Sequence, residues 1–354
     1  MSNFKRLFSD SAKPGAWVSK RKALLLIIPV VWGCWLTMLG AYPAFLNLIA
    51  HWEIVLTMFF GSIIAGGTSL GGGAVAFPVF TKILDIPPQD AKVFSLAIQS
   101  IGMSAASLAI LMTGIQIEGR VLLLSSIGGT FGMFLGLTLL APQLSPDVVR
   151  ISFSFMLASF AITLFTLNRQ TQRHCHRQVP CWGWRERGIC LMAGFIGGVM
   201  SGLVGNGIDI FVFAVVVLLF RVNEKIATPT TVILMAVNAL FGTLLQVFYL
   251  KDFSEPVLGY WLSAIPIVVV GAPLGAMVCS FLRRELIANC LLALISIELV
   301  TSIVLIPMRP ALVISGALTL AVFSGLNYWM YRTKTYELRS SPPQKSLQIL
   351  QVHK

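Results

Sequence analysis

GGTSLGGGAVAFPVF, residues 66–80, and SGLVGNGIDIFVFAV, residues 201–215, are the two stretches that decide the fold. Each interrupts a long apolar segment, 54–85 in the first case and 188–220 in the second. Such a segment is too long for one membrane crossing of about 20 residues and too short for two. We therefore predict two re-entrant pairs of half-helices, each broken at its glycines near the midplane and returning to the side from which it came.

The composition of the chain predicts the environment of these breaks. Of 354 residues, 56% are hydrophobic and 11% are charged, against about 25% charged in an ordinary soluble domain. These values exclude a soluble enzyme, a disordered chain and a nucleic-acid-binding protein. The net charge of +12 comes from basic residues that lie between and outside the apolar runs, where they indicate topology and contact lipid headgroups. The chain is thus predicted to be an all-α polytopic membrane protein with the bilayer as a partner, in an oligomeric state that the sequence does not indicate.

The basic residues also predict how the helices are arranged. If both broken segments are re-entrant, the basic N-terminus, the basic linker and the basic tail all fall on one side, which the positive-inside rule makes cytoplasmic. Three crossings follow each broken segment, so the second block starts on the opposite side from the first. This is the inverted-topology repeat of many secondary transporters. The predicted fold is two such repeats, each a glycine-broken re-entrant segment plus three transmembrane helices, with one extra helix at each end.

The apolar runs predict the boundaries of the segments. The expected location of the protein is a bacterial inner membrane. A cleaved signal peptide at the N-terminus is the alternative, but the first run is long and no small-x-small site closes it. The predicted segments are a cytoplasmic N-terminal segment at 1–22, a first transmembrane helix at 23–50, repeat A at 51–168, a cytoplasmic basic linker at 169–187, repeat B at 188–305, a last transmembrane helix at 306–331 and a cytoplasmic tail at 332–354.

The two repeats share their order and spacing, although their identity is weak. PPQDAKVFSLAIQSIG at 87–102 aligns with NEKIATPTTVILMAVN at 223–238. The aligned positions at the breaks are Gly71 and Gly73 with Gly205 and Gly207, and Phe77 with Phe211.

With this duplicated pattern the chain resembles the sulfite exporter TauE/SafE family over nearly all of residues 54–305. The resemblance implies a transporter of sulfite, sulfonates or related small anions. Members of that family also handle other sulfur compounds and some carboxylates, so the substrate stays open. The second break departs from the family pattern, because it reads Gly205-Asn206-Gly207 and is followed by Asp209.

The broken helices predict an ion site on physical grounds. A break leaves backbone N–H groups without intrahelical partners, and helix N-termini, here near Ala74 and Ile208, attract anions. The glycines would let a ligand approach the backbone, although they could equally serve only tight helix packing. The residues predicted to bind substrate are Ser69, Gly71, Gly72, Gly73, Ser95, Gln99, Gly205, Asn206, Gly207, Thr231 and Asn238.

Helix geometry selects the polar residues of this set. At 1.5 Å per residue, Gln99 lies about 12 Å and Asn238 about 16 Å below the start of its helix, near the middle of a core about 30 Å thick. Ser95 shares a helix face with Gln99, as Thr231 does with Asn238. These side chains would donate hydrogen bonds to sulfonate or sulfite oxygens, or else form ordinary interhelical hydrogen bonds.

Among charged residues, only Asp209 and Glu298 lie deep in apolar runs. Intramembrane carboxyl groups indicate function by default. We predict that Asp209 carries a proton, because a neutral acid tolerates an adjacent anion that an ionised one would repel. The alternative is a carboxylate that caps the N–H groups of its own half-helix. Glu298 is left open between an ion site and an interhelical bond, and Lys92 between attracting anions and snorkelling.

An intramembrane enzyme is not expected. The four His lie outside the deep spans, no HExxH or P-loop motif is present, and an aspartyl protease would need a second deep Asp. No cofactor is predicted, and no metal either, since the cluster of His174, Cys175, His176 and Cys181 matches no zinc spacing. The alternative function is a transporter or channel for another small ion or carboxylate, with Asp209 as the ion or proton ligand.

Overall fold

The predicted all-α membrane fold is confirmed in the computed structural model. The model describes residues 28–37, 39–68, 79–81, 83–168, 175–306 and 309–333. Within these ranges, eight helices are long and apolar enough to cross a membrane. The first glycine break falls outside the described residues, and so do four predicted site residues: Ser69, Gly71, Gly72 and Gly73.

The described helices follow one another along the chain with short connections. They are α1 (Ile28–Thr37), α2 (Ala41–Ala50), α3 (Trp52–Gly67), α4 (Pro88–Thr113), α5 (Gly119–Leu140), α6 (Pro146–Asn168), α7 (Trp184–Val204), α8 (Ile208–Leu219), α9 (Glu224–Leu250), α10 (Val257–Phe281), α11 (Arg284–Leu305) and α12 (Pro310–Arg332).

Two predicted boundaries differ from the structure. The first transmembrane helix, predicted as one piece over 23–50, is divided into α1 and α2 at Gly40, whose φ of +79° is open to glycine and costly for other residues. The basic linker, predicted to reach residue 187, ends earlier because α7 begins at Trp184. Glu186 supports this start, since its carboxylate accepts the Gly183 N–H at 2.8 Å, which is the half of a capping box that the third helical residue supplies.

The bundle has two ends, which we name from the chain segments that meet there. At the linker end, the Val179 N–H donates to the Glu118 carboxylate at 3.2 Å, so the linker lies on the loop between α4 and α5. At the far end, Gln89 Nε2 lies 3.4 Å from Asp252 Oδ2, which joins the start of α4 to the loop between α9 and α10.

The chain reverses at the second break, as the re-entrant prediction requires. α7 leaves the linker, and α8 returns to it: the His176 N–H donates to the Arg221 carbonyl at 2.8 Å, and the Asn223 N–H donates to the His176 carbonyl at 3.0 Å. The two arms are unequal. α7 has 21 residues and spans about 31 Å, which is long enough to cross a membrane and longer than the half-helix predicted for this arm. α8 is a short helix with a π-helical end. All of α8 is buried.

The two halves of the chain pack on each other through glycines. α5 lies against α7, and a Cβ at Gly132 would meet the Phe195 carbonyl oxygen at 2.0 Å. α10 lies against α3, and a Cβ at Gly275 would meet the Ile63 carbonyl oxygen at 2.0 Å. Only glycine permits backbones to approach so closely. Each broken segment thus contacts a helix of the other half, which inverted repeats would produce, and the inverted symmetry itself stays a prediction.

Candidate functional site

The second break is a short turn held by its own side chains. α7 ends at Gly205 with φ +87°, and Gly207 has φ +144°, so both positions require glycine. Asn206 Oδ1 accepts the Gly207 N–H at 2.9 Å, and Ser201 Oγ accepts the Ile208 N–H at 2.9 Å. The N–H groups of Gly207 and Ile208, which the sequence analysis expected to be free for a ligand, are therefore already hydrogen-bonded to side chains of the same chain.

Two polar side chains of α4 meet the break from the first half of the chain. Gln99 Nε2 donates to the Gly205 carbonyl at 3.0 Å and to Ser95 Oγ at 2.7 Å. Ser95 Oγ lies 3.4 Å from the same carbonyl. A Cβ at Gly205 would meet the Lys92 carbonyl oxygen at 3.0 Å, so the backbones also touch. The structure thus brings together three of the predicted residues, from segments more than a hundred positions apart.

Asp209 and Asn238 supply the unpartnered polar atoms of this region. Asp209 is 0% exposed, and within the described part of the chain neither of its carboxylate oxygens has a hydrogen-bond partner. The backbone N–H groups of Ile210, Asp209 and Gly207 lie close enough to interact with this carboxylate, as the alternative of a carboxylate that caps its own half-helix predicts. Asn238 Oδ1 is buried without a partner among the same residues. Asn238 lies near the start of α8, because both Asn238 and Ile208 contact Gly129. A Cβ atom built on Gly129 would lie 3.0 Å from Asn238 Oδ1 and would also clash with the Ile208 side chain.

A comparison with known families agrees with this geometry. The family model of the sulfite exporter TauE/SafE matches residues 54–305, which is most of the chain and includes both breaks. The chain belongs to the TauE/SafE family. It is therefore a multi-pass membrane protein of a family that transports sulfite or related anions. No curated protein and no solved structure matches the chain.

Thr231 of this TauE/SafE protein lies in a row of buried threonines on α9. Its Oγ1 donates to the Thr228 carbonyl at 3.0 Å, within its own helix. Thr230 Oγ1 accepts the Glu118 N–H at 2.9 Å, which ties the start of α9 to the linker end. The first break, which Thr231 would face by analogy with Ser95, lies outside the described residues.

Glu298 forms the interhelical bond that was one of its two interpretations. Ser154 Oγ donates to Glu298 Oε1 at 3.0 Å, and Ser302 Oγ lies 3.2 Å from the same oxygen. The cluster joins α6 to α11, with Arg150 as the nearby positive charge. These contacts give Glu298 a structural role, in contrast to the unpartnered Asp209.

Sequence reasoning missed two residues that shape the second break. Ser201 caps α8 from seven positions upstream, a distance that no local capping rule covers. Gly129 allows Ile208 and Asn238 to reach the same point on α5. The spacing of its neighbours Gly128, Gly132 and Gly136, four positions apart, was an available signal for close helix packing.

Lys92, which the sequence left open between attracting anions and snorkelling, is largely buried beside the break. It is 6% exposed, and its backbone contacts Gly205. The acidic group that faces it is Asp252, in the loop after α9. The sequence predicted that Lys92 lies at the start of a helix, but it could not show that the loop between α9 and α10 lies close to it.

Glu118 is a buried carboxyl group of the linker end and lies in the loop between α4 and α5, outside the spans. Burial raises its pKa above the ordinary value of 4.5, while the Val179 N–H and the charge of Arg120 oppose that rise. No group of three or more His, Cys, Asp or Glu that could hold a metal occurs among the described residues, which include Cys175, His176 and Cys181. His174 lies outside them, so the absence of a metal site stays a prediction.

Proposed function

We propose that this protein is a secondary transporter of small sulfur-containing anions, such as sulfite or an organosulfonate, and that the proton gradient drives it. The transport site would lie at the two glycine breaks, exposed to each side of the membrane in turn. The observation that carries the proposal is the buried, unpartnered carboxyl group of Asp209, one position into the half-helix that follows the second break. A buried carboxylate without a well-aligned hydrogen bond is costly in such a place, so we expect a neutral, protonated form to compete with the ionised form that the neighbouring N–H groups stabilise.

The arrangement of α4 and α9 supports a site shared by both breaks. Ser95 of α4 reaches the second break. Thr231 of α9 aligns with Ser95 in the two repeats, so Thr231 would reach the first break, with Ser69 and Gly71 to Gly73. The inverted repeats, with the domain boundaries given above, are part of this proposal. The linker end would then be cytoplasmic, in a bacterial inner membrane, together with both termini.

Proton coupling would follow from the charge of Asp209. A protonated Asp209 offers an O–H donor, whereas an ionised one would repel an anion at the same break. Gln99 and Ser95 now donate to the Gly205 carbonyl, and they would turn toward an oxyanion when it binds. Anion and proton would therefore bind together, and loss of the proton to one side would expel the anion there.

A second candidate is a transporter or channel for a small cation, with Asp209 as its ligand. One observation favours it: the unpartnered atoms at the second break are oxygens, namely both carboxylate oxygens of Asp209 and Oδ1 of Asn238. Reversing the Asn238 amide would turn an N–H₂ donor toward the break and remove part of this argument.

The test is flux in proteoliposomes, with and without an imposed pH gradient. Sulfite and methanesulfonate are both used, because methanesulfonate stays ionised over the whole pH range and its flux reports only protonation of the protein. We expect saturable flux that the gradient accelerates. In Asp209→Asn the acceleration should disappear, while Glu298→Gln, the matched control with its carboxyl already hydrogen-bonded, should keep it.

Each other outcome has a definite meaning. Gradient-driven flux that persists in Asp209→Asn would remove the proton role of this residue. Flux without saturation or counterflow would identify a channel. If folded protein moves neither anion, the cation candidate takes precedence, and the same vesicles then test Na⁺ and K⁺.

A further inference from the structure

Lys92 is a buried basic residue next to the hydrogen-bonded group of the second break. It lies one turn before Ser95 and two turns before Gln99, so the three share one face of α4. Its carbonyl oxygen and Cα lie within 3.4 Å of a Cβ built at Gly205. A lysine at this position can bring a positive charge to the break from the far end.

Asp252 faces Lys92 across the far end. It lies in the loop between α9 and α10 and is half-buried. Burial raises the pKa of Asp252, and the positive charge of Lys92 opposes the rise. The other polar contact of Asp252 is a long one, with Gln89 Nε2 at 3.4 Å from Oδ2, and Oδ1 has no hydrogen-bond partner within the described ranges. No ion pair within 4 Å joins Asp252 to Lys92 among the described residues, so the two charges act on each other over a longer distance.

We propose that Lys92 is an anion-binding residue of the transport site, and that the carboxylate of Asp252 competes with the substrate anion for its ammonium group. This inference rests on the proposed transport function. The ammonium group sits on a flexible four-carbon stem, so it can turn from Asp252 toward Ser95 and Gly205 without movement of α4. The far end would then select for anions, and neutral donors nearer the break would orient them.

The side chains of the far end predict opposite effects of two substitutions. Lys92→Gln removes the charge that attracts the anion, so the KM for methanesulfonate should rise about tenfold, the value of one charge-assisted hydrogen bond, with little change in kcat. Lys92→Arg keeps the charge and should restore most of the affinity. Asp252→Asn removes the competing carboxylate, so its KM should fall below that of the unmodified protein.

Lys251→Gln is the matched control, since Lys251 is exposed in the same loop and carries the same charge. Its KM should stay near that of the unmodified protein. Equal increases in KM for Lys92→Gln and Lys251→Gln would overturn the proposal, because the effect would then be the general charge of the far end. An unchanged KM in Asp252→Asn would refute the competition, even if Lys92→Gln failed to fold. Absence of methanesulfonate flux in the unmodified protein would instead remove the transport proposal itself.

Discussion

Two acidic loops of the molecule, one at each end, are built alike and used differently. Glu118 follows α4 and meets the start of α9, where its N–H donates to Thr230. Asp252 follows α9 and meets the start of α4, where it faces Gln89 and Lys92. Glu118 is buried and accepts a backbone N–H. Asp252 is half-buried, and the charge near it is the ammonium group of Lys92.

The difference lies in the residue that each loop meets. Lys92 of α4 aligns with Thr228 of α9, so the equivalent position of α9 offers Glu118 no lysine, and the basic residue that acts on Glu118 is Arg120. Glu118 instead fixes the linker, through Val179. One acidic loop therefore fixes the linker to the bundle, and the other is the loop that we propose competes with a substrate anion.

The largest effect should come from removing each acid in turn. Glu118→Ala deprives the Val179 N–H of a charged acceptor in a buried place, which costs about 2 kcal/mol of stability. Asp252→Ala should cost less than about 0.5 kcal/mol, since its 3.4 Å contact is weak and partly exposed. Thermal unfolding in detergent measures both changes, and trypsin cleavage after the exposed Arg177 should become faster only in Glu118→Ala.

Glu118→Gln serves as the control for that experiment, because it keeps an oxygen for the Val179 N–H. It should lose little stability and resist trypsin as the unmodified protein does. Equal losses of stability in Glu118→Ala and Asp252→Ala would show that the two loops contribute equally to the stability of the fold, contrary to the comparison above.

The next effect concerns the two helices that those loops follow. Gln99→Leu removes a donor from the Gly205 carbonyl, and flux at low substrate concentration should fall about tenfold. Thr231→Val should reduce flux by about threefold if α9 serves the first break as α4 serves the second. Ser107→Ala is the control, because the Ser107 hydroxyl donates only to its own helix, at the Met103 carbonyl. A flux in Thr231→Val as high as in Ser107→Ala would break the proposed equivalence of α4 and α9.

The sequence predicted the parts of this site that depend on local pattern. Glycine spacing located the break at Gly205 and Gly207, because a reversal with positive φ needs that residue. The spacing of Ser95 and Gln99 predicted a shared face, which they have. The sequence could not show that Lys92 would be covered, since the covering residue Asp252 is 160 positions away and only the packing of α4 against α9 and α10 brings them together.

The pattern of apolar residues also could not predict where helices begin and end. α7 starts at Trp184, inside the polar linker, where the Glu186 carboxylate accepts the Gly183 N–H and stabilises the first turn. Likewise, the expectation of free N–H groups at the second break took no account of Ser201, whose hydroxyl reaches Ile208 through the reversal of the chain.

The smallest effect is a pH dependence that should differ between the two ends. Burial raises the pKa of Glu118 above 4.5 in the folded protein, so folding favours its protonated form. The stability that this group contributes is fully present below pH 4.5, the ordinary pKa, and is lost as the pH rises through the raised pKa of the folded protein. Relative to Glu118→Gln, the unmodified protein should therefore lose stability from acidic toward neutral pH. Asp252 should show the same sign against Asp252→Asn, but there the charge of Lys92 opposes the shift.

Lys92→Gln separates the two ends in this measurement. Without the positive charge, the pKa of Asp252 should rise further, so the loss of stability at the far end should move to higher pH. The contribution of Glu118 should stay where it is, because its opposing groups are Val179 and Arg120 at the linker end. Thermal unfolding of each pair across the pH range gives both curves. A curve for Asp252 that does not move in Lys92→Gln would mean that the two groups do not interact, and the far end would then be no different from the linker end.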